Sequence, residues 1–281
     1  MSVGVRVMVE SDLDFTLGLA NREGWDYDLA DLRRLRRIFP AGCFLAEYGG
    51  AKAGWVAVST YGNLAWIGSL VVQDDLRGKG IGAALVDHAV RYTRELGVKT
   101  VGLYSYRNSV GFYERMGFKH DCDFDRIQGM GRKISSKIIT RCPSDLGELM
   151  EFDRRYFRAD RRLLVEALHE DFPDLFGCEK ETDVVGYIAA KSFADGTAEI
   201  GPWVCDHRRV DVAEKLFTSE LSQLPSRTIT LTIPSENMET QRLASRYGFR
   251  IKQRVARMSI GSVEDLPVVG AIYAAAGLDV G

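Results

Sequence analysis

A glycine-rich turn between an apolar strand and an amphipathic helix is the part of this sequence best suited to chemistry. Residues 77–82 read Arg-Gly-Lys-Gly-Ile-Gly and follow the apolar run at residues 70–72. Glycines adopt positive φ and let the backbone approach a ligand closely, and free N–H groups at the start of a helix bind phosphate. Arg77 and Lys79 add positive charge. This phosphate-binding turn predicts a site for a pyrophosphate group.

The spacing of the glycines excludes two common classes of phosphate-binding motif. The segment has the form R-x-x-G-x-G, without the Lys-Ser/Thr pair of nucleotide-hydrolysing P-loops. It also lacks the third spaced glycine and the later acidic residue of dinucleotide-binding folds. The remaining structural alternative is a helix-opening turn that is rich in glycine for packing alone.

The pattern resembles the GCN5-related N-acetyltransferase (GNAT) superfamily. The resemblance rests on residues 70–82, on Phe-Tyr-Glu-Arg-Met-Gly-Phe at residues 112–118, and on the order of elements between them. It implies an acetyl-CoA-dependent N-acetyltransferase in which a strand binds the pantetheine arm and the phosphate-binding turn holds the pyrophosphate. The predicted acyl-CoA contacts are Leu70, Val71, Val72, Arg77, Gly78, Lys79, Gly80, Ile81, Gly82, Ala83 and Asn108.

Tyr113 is the catalytic residue that the resemblance implies. A phenol at this position would protonate the departing CoA thiolate after an amine attacks the thioester carbonyl. Alternatively, Tyr113 packs on the sheet as an ordinary core aromatic. The family usually places an Asn seven residues earlier, where this chain has Tyr106. The nearby Asn108 then either contacts CoA or serves as a helix N-cap.

The general base and the acceptor site are less visible. Residues 66–69 carry no carboxylate, although many relatives have a Glu on this strand. The acidic candidates of the first helical region are Glu23, Asp26 and Asp28. Trp25 and Phe39 would either line an acceptor pocket or belong to the core. The acceptor is expected to be a small-molecule amine or a peptide.

The chain contains two halves with similar landmarks. Ser11-Asp-Leu returns at Ser144, Gly54 returns as Gly186, and Gly117-Phe returns at Gly248, each about 130 residues later. We therefore predict two tandem GNAT-like domains, at residues 1–132 and 133–281. Strand, helix and strand in succession predict a βαβ crossover, hence a mixed, mostly antiparallel α/β sheet flanked by helices in each domain.

The second domain is predicted to have lost the site. On the alignment of the Gly-Phe pairs, Gly80 becomes Asp211, and a carboxylate there repels phosphate. Tyr113 becomes Ala244, while Glu199 takes the position of Gly68 as either a ligand contact or a bonded strand residue. Residues 265–278 predict a helix packed on this domain. Gly201-Pro-Trp and the region of Tyr273 further resemble the C-terminal domain of YitH-type tandem acetyltransferases.

Composition limits the remaining classes of function. The net charge is −2, with 46% hydrophobic and 27% charged residues, which is typical of globular proteins and gives no overall attraction to nucleic acid or to an anionic membrane. The arginines at residues 33–37 predict a solvated face or a contact with phosphates. Five scattered cysteines and four isolated histidines suggest reduced thiols and no metal site. Residues 1–10 lack a basic region followed by an apolar stretch, and no run of 18 apolar residues occurs, so we expect a cytoplasmic location. The open alternatives are a non-catalytic acyl-CoA-binding module and an arginine-mediated nucleic-acid binder, and the oligomeric state is left open.

Overall fold

The computed structural model describes residues 2–25, 27–134, 141–142 and 145–281. The candidate Asp26 and the repeated landmark at Ser144 lie outside them. The helices are α1 (Leu13–Arg22), α2 (Leu29–Ile38), α3 (Ile81–Glu95), α4 (Val110–Arg115), α5 (Gly147–Phe157), α6 (Arg162–Asp171), α7 (Val210–Gln223) and α8 (Met238–Arg246). The strands are β1 (Val3–Val7), β2 (Cys43–Tyr48), β3 (Ala51–Tyr61), β4 (Leu64–Val72), β5 (Thr100–Tyr106), β6 (Lys119–Met130), β7 (Phe176–Lys180), β8 (Val184–Ser192), β9 (Thr197–Cys205), β10 (Thr228–Pro234), β11 (Arg250–Ile260) and β12 (Ile272–Ala274).

The chain divides into two compact units, and neither unit is a single continuous stretch of sequence. Unit 1 contains Met1–His120, Met258–Glu264 and Leu278–Gly281, and unit 2 contains Asp121–Arg257 and Asp265–Gly277. Unit 1 thus includes two short pieces that follow most of unit 2 in the sequence. The predicted boundary after residue 132 stays a prediction about which fragment folds independently.

Unit 1 is built on the sheet order β1-β2-β3-β4-β5. The first three pairings are antiparallel, and β4 pairs with β5 in parallel. Parallel neighbours need a crossover, which α3 supplies. The helix buries Leu85, Val86 and Ala89, while Trp55 and Trp66 of the sheet are fully buried. The predicted mixed sheet with a central βαβ crossover is confirmed.

Unit 2 repeats this plan. Its sheet runs β6-β10-β9-β8-β7, with β10 parallel to β9 and joined to it through α7, and with the remaining pairs antiparallel. Stacked Trp203 and Phe217 lie in its core. The predicted fold of two tandem α/β domains is therefore confirmed.

The helix predicted at residues 265–278 is wrong. This segment consists mostly of turns and irregular chain and contains the short strand β12, which pairs antiparallel with β9. Pro267 lacks the N–H that a helix interior needs, Gly270 lowers helix propensity, and the edge of β9 satisfies the backbone instead.

The cysteines depart from the expectation of five free thiols. Cys142 and Cys178 of unit 2 are joined as a disulfide, whereas Cys43, Cys122 and Cys205 are free and buried. The short sequence patterns around Cys142 and Cys178 do not reveal that the fold brings them together. Within the described ranges, we find no helix with the length and apolar character needed to cross a membrane.

Candidate functional site

The parallel strands β4 and β5 part in the middle of unit 1. Their register runs from Leu64 opposite Thr100 to Ile67 opposite Leu103 and stops there, although both strands continue. On its other side, β4 stays paired with β3 as far as Val72. Among the described residues, residues 68–72 therefore have no ladder partner on β5. A gap with main-chain donors and acceptors on its wall results, and it includes the predicted contacts Leu70, Val71 and Val72.

A β-bulge marks the start of this gap. The register between β3 and β4 shifts between Trp55 and Ala57, and Ser69 has a φ of 55°. A positive φ is uncommon for a residue with a side chain and indicates local strain that the surrounding fold must hold. The Ser69 hydroxyl lies 2.7 Å from the hydroxyl of Tyr27. The bulge turns the Ser69 side chain toward the region between α1 and α2.

The glycine-rich turn at residues 77–82 follows β4 directly and opens α3. Gly80 is the N-cap, with a φ of 81° and a ψ of 1°, and no side chain caps the helix. No acidic residue lies in the first turn, and a Cβ at Gly80 would meet open space. The N–H groups of Ile81, Gly82 and Ala83 therefore start a 15-residue helix without a protein anion beside them. This geometry fits a pyrophosphate group, because backbone donors and the helix dipole both favour negative charge.

The two basic side chains of the turn differ in their freedom. Arg77 donates from Nε to the carbonyl oxygen of Val72 at 3.2 Å and pairs with Asp74 and Glu23. Lys79 is exposed, with its Nζ 5.6 Å from the centre of the Tyr48 ring. Carboxylates offset much of the Arg77 charge, so backbone N–H groups and Lys79 are the freer phosphate donors here.

Tyr113 lies on the short helix α4, after β5. Its ring packs edge-on against Phe112 and Phe118, and burial raises the pKa of its phenol above the ordinary value. A phenol with a raised pKa keeps its proton at neutral pH but is a weaker acid than an exposed phenol. Asn108 is exposed, and the N-cap of α4 is Ser109 without a side-chain cap. Asn108 therefore does not cap α4.

The acidic residues expected near the acceptor have other partners. Glu23 pairs with Arg77, and the Asp28 side chain accepts from the Asp31 N–H as the N-cap of α2. Phe39 is a core residue in edge contact with Tyr61. In the ranges that the structure describes, no three His, Cys, Asp or Glu side chains form a group able to hold a metal ion.

Two family models match the chain in its two halves. The model of the acetyltransferase (GNAT) family matches residues 8–118, and that of an acetyltransferase (GNAT) domain matches residues 149–274. The chain belongs to the GNAT family. Its tandem organisation is confirmed, and the YitH-type resemblance of the second half stays a prediction.

Curated relatives align with short parts of this GNAT chain. An uncharacterised N-acetyltransferase of Chlorobaculum tepidum is 40% identical over 77 residues, which are 27% of this chain and 48% of the relative. Another from Methanocaldococcus jannaschii is 31% identical over 88 residues, which are 28% of this chain and 39% of the relative. The matched region spans less than half the length of each of these two relatives.

Solved structures show the same fold over nearly the whole GNAT chain. An acetyltransferase candidate from Pyrococcus horikoshii has a TM-score of 0.84 at 21% identity, covering 99% of this chain and 96% of its own. A GCN5-related N-acetyltransferase from Sphaerobacter thermophilus has a TM-score of 0.68 at 16% identity, covering 95% and 97%. A tandem GNAT protein from the clavulanic acid biosynthesis pathway has a TM-score of 0.63 at 15% identity, covering 92% and 98%.

The second GNAT unit closes the gap that the first leaves open. Its parallel pair also stops early, after Thr230 opposite Glu199. Here β12 pairs with β9, and the Ala275 N–H donates to the Thr232 carbonyl on β10 at 2.9 Å. A Cβ at Gly201 would lie 1.8 Å from the Ala275 carbonyl oxygen, so no space is left beside this strand. The gap of unit 2 is filled by its own chain.

The N-terminus of α7 in unit 2 is also unsuited to phosphate. Arg209 precedes the helix and pairs with Glu181 and Asp211 at 2.7 and 3.0 Å, and Asp211 lies in the first turn. Glu199 forms an ion pair with Lys191 at 2.7 Å. These contacts agree with the reading of Glu199 as a bonded strand residue.

Sequence reasoning missed one carboxylate of the unit 1 site. Asp279 accepts a hydrogen bond from the Tyr27 hydroxyl at 2.5 Å, and its Cα lies 2.2 Å from where a Cβ on Gly68 would be. Gly68 is the first residue of β4 beyond the register with β5. Asp279 and Gly68 are remote in sequence, and neither spacing nor a motif near the chain's last residues signals that they meet.

Proposed function

We propose that unit 1 is an acetyl-CoA-dependent N-acetyltransferase that transfers the acetyl group directly to a primary amine of a small-molecule or peptide acceptor. The parting of β4 from β5 immediately before an uncapped glycine turn carries this proposal. Pantetheine is a chain of amides, so it can pair with an unpartnered strand in the way that an extended peptide does. The N-terminus of α3 then receives the phosphates.

Different residues of unit 1 would orient the thioester and donate a proton during acetyl transfer. Acetyl-CoA, when bound, supplies an acetyl group activated as a thioester. Main-chain N–H groups in residues 70–72 would orient the thioester and stabilise negative charge on its carbonyl oxygen. The amine nitrogen would bond to the carbonyl carbon and lose a proton to solvent. The Tyr113 phenol would donate a proton to the sulfur as the carbon–sulfur bond breaks, and would then be reprotonated from solvent.

Direct transfer is supported by the chemistry of the one cysteine in unit 1. Cys43 is 1% exposed, and burial raises the pKa of its thiol to about 12. A buried thiol that stays protonated is a poor nucleophile, so Cys43 is not suited to carry an acetyl group. A ternary complex, in which the amine attacks the thioester itself, needs no such carrier.

The burial of Tyr113 favours one alternative, a module that holds acyl-CoA without turnover. Its side chain is 9% exposed and lies between Phe112 and Phe118, as expected of a core aromatic. Single-turnover measurements with acetyl-CoA and an amine library separate the two functions. Acetylated product supports the transferase, whereas tight binding without any product supports the module.

Acetyl-CoA binding to the full chain tests the proposal first. Calorimetry is expected to give one site per chain, because the gap of unit 2 is filled by β12. Gly80→Asp places a carboxylate among the phosphate donors and should weaken binding by at least about 100-fold, which corresponds to about 2.7 kcal/mol. Asp tolerates positive φ comparatively well and is a good N-cap, so the helix should survive.

The matched control is Gly97→Asp at the other end of α3. Gly97 has a φ of 75° and open space around its Cβ, like Gly80 with its φ of 81°. The two variants therefore carry similar backbone strain and the same charge change. Unchanged affinity in Gly80→Asp, or two sites in the unmodified chain, would contradict the proposed site.

A further inference from the structure

The segment Leu278–Gly281 lies against the start of the gap in unit 1. Asp279 lies over Gly68, Val280 accepts a hydrogen bond from the Tyr61 hydroxyl at 2.8 Å, and Gly281 packs on the indole of Trp66. Val280 and Gly281 are buried. The first of these contacts requires glycine at residue 68, because a side chain there would collide with the Asp279 backbone. The segment is thus a built-in part of the surface of unit 1.

The two carboxylate oxygens of Asp279 differ in their contacts. Its Oδ2 accepts the Tyr27 hydrogen bond, so the Tyr27 hydroxyl, with a single proton to donate, accepts from Ser69 in turn. Among the described residues, Oδ1 has no hydrogen-bond or ion-pair partner, and the residue is only half-buried. The carboxylate is therefore oriented through one oxygen and available through the other.

The position of this oxygen relative to the gap suggests its ligand. Gly68 and Ser69 begin the stretch of β4 that has no partner on β5, which is where the proposed function places the thioester. A carboxylate held beside that stretch attracts a cation and accepts hydrogen bonds, the two properties that recognise an amino group. The nearby Asp31 is already paired with Arg34 at 2.6 Å, and Glu23 with Arg77. Among the described residues, Asp279 is thus the carboxylate of these three that has no cationic partner.

We propose that Asp279, oriented by Tyr27 and Ser69 and placed over Gly68 by the segment Leu278–Gly281, binds the primary amino group of the acceptor in unit 1. The inference rests on the proposed transferase function and names the residue that receives the second substrate. It also assigns a function to the last residues of the chain: they complete the site of unit 1 after the chain has passed through unit 2.

Ammonium binding to the full chain tests this assignment without knowledge of the acceptor. The probe is n-butylammonium chloride, titrated into CoA-saturated protein carrying ¹³C-labelled tyrosine, with tetramethylammonium chloride as the control for ionic strength. The Tyr27 ring signal is assigned by its absence from Tyr27→Phe. A saturable shift of this signal with n-butylammonium, and not with tetramethylammonium, is expected.

Asp279→Asn is the decisive variant. Asn retains an oxygen that accepts from Tyr27 but removes the charge, so the segment should stay in place while n-butylammonium binding weakens at least 10-fold. Asp14→Asn, an exposed change on α1, is the matched control and should bind as the unmodified chain does. Equal binding in Asp279→Asn, or no Tyr27 shift in the unmodified chain, would overturn the inference.

A deletion variant and a CoA-binding measurement distinguish this inference from two alternatives: that the segment blocks the site, and that the proposed transferase function is wrong. Deletion of Leu278–Gly281 should abolish the Tyr27 shift; tighter n-butylammonium binding after deletion would instead show that the segment blocks the site, which overturns the inference. Calorimetry with CoA is run on each protein. If the unmodified chain does not bind CoA, this result counts against the proposed transferase. A specific n-butylammonium shift in CoA-free protein would still support the Asp279 site.

Discussion

The Tyr27 hydroxyl donates a 2.5 Å hydrogen bond to Asp279, although the two residues are 252 positions apart in the sequence. Burial, followed by the charge of Asp279, raises the pKa of Tyr27 well above its ordinary value. The proton therefore stays on the phenol across the physiological range, where it holds the Asp279 carboxyl group in its orientation. This pair joins the α1–α2 region to the final residues of the chain, both within unit 1.

Removing the Tyr113 hydroxyl should slow acetyl transfer while leaving donor binding nearly unchanged. In Tyr113→Phe the ring contacts with Phe112 and Phe118 remain, and only the proton donor is lost. General acid catalysis contributes about 100-fold to 10,000-fold, so turnover should fall within that range. Steady-state kinetics with acetyl-CoA measures the turnover of Tyr113→Phe, of the unmodified chain and of the control Tyr92→Phe on α3. Unchanged turnover would remove Tyr113 from the mechanism.

Adding one methyl group at Gly68 should displace Asp279. The new Cβ would lie 2.2 Å from the Asp279 Cα and 2.7 Å from its carbonyl oxygen, which is backbone and cannot rotate away. Overpacking of this kind costs about 1–3 kcal/mol. Gly68→Ala is therefore expected to unfold at lower urea concentration and to lose n-butylammonium binding. Gly4→Ala in β1, where a Cβ meets open space, is the control; equal behaviour of both variants would contradict the close contact.

The stability of unit 2 should fall as the pH rises from about 4.5 to 8. Glu220 on α7 is 2% exposed, and burial raises the pKa of its carboxyl to about 8. Between these pH values the folded state holds a proton that the unfolded state has released, so its contribution is complete below pH 4.5 and is lost as the pH reaches 8. The loss is about 5 kcal/mol at most.

Glu220→Gln tests this pH dependence. Gln stays neutral, so the variant should become increasingly more stable than the unmodified chain between pH 5 and pH 8. Urea unfolding at several pH values, monitored by circular dichroism, measures the difference. The exposed Glu151→Gln on α5 should leave the profile unchanged. Parallel profiles for Glu220→Gln and the unmodified chain would show that the carboxyl ionises normally.

The predicted boundary after residue 132 can be tested with the fragment 1–132. It should fold and bind acetyl-CoA, since it retains β4, α3 and α4. It should melt at lower temperature, because it lacks Met258–Glu264, including the Ser262 N–H that donates to Thr100, and because Trp66 loses its cover of Gly281. It should also show no n-butylammonium binding. An insoluble fragment would place the boundary elsewhere.

The local parts of the fold and site were predictable from sequence. Strand β4, the glycine turn and helix α3 depend on neighbouring residues, through apolar periodicity and the backbone freedom of Gly80. The repeat of landmarks correctly predicted two units with the same plan. The arginines of α2 were less predictable: Arg33 and Arg36 pair with Glu10, which is distant in sequence, and Arg34 is buried and pairs with Asp31 instead of lying on a solvated face.

The tertiary structure decided the features that depend on distant partners. Residues 265–278 contain the strand β12 and not a helix, because β9 and β10 offer hydrogen bonds that only the folded sheet provides. The same strand fills the gap of unit 2, and this is a stronger obstacle to acyl-CoA binding there than the lost glycines alone. Asp279 reaches Tyr27 and Gly68 because the chain returns to unit 1 after completing unit 2. Local sequence therefore determined most of the elements and the glycine-rich turn, whereas long-range packing determined which gap stays open and which carboxylate lies beside it.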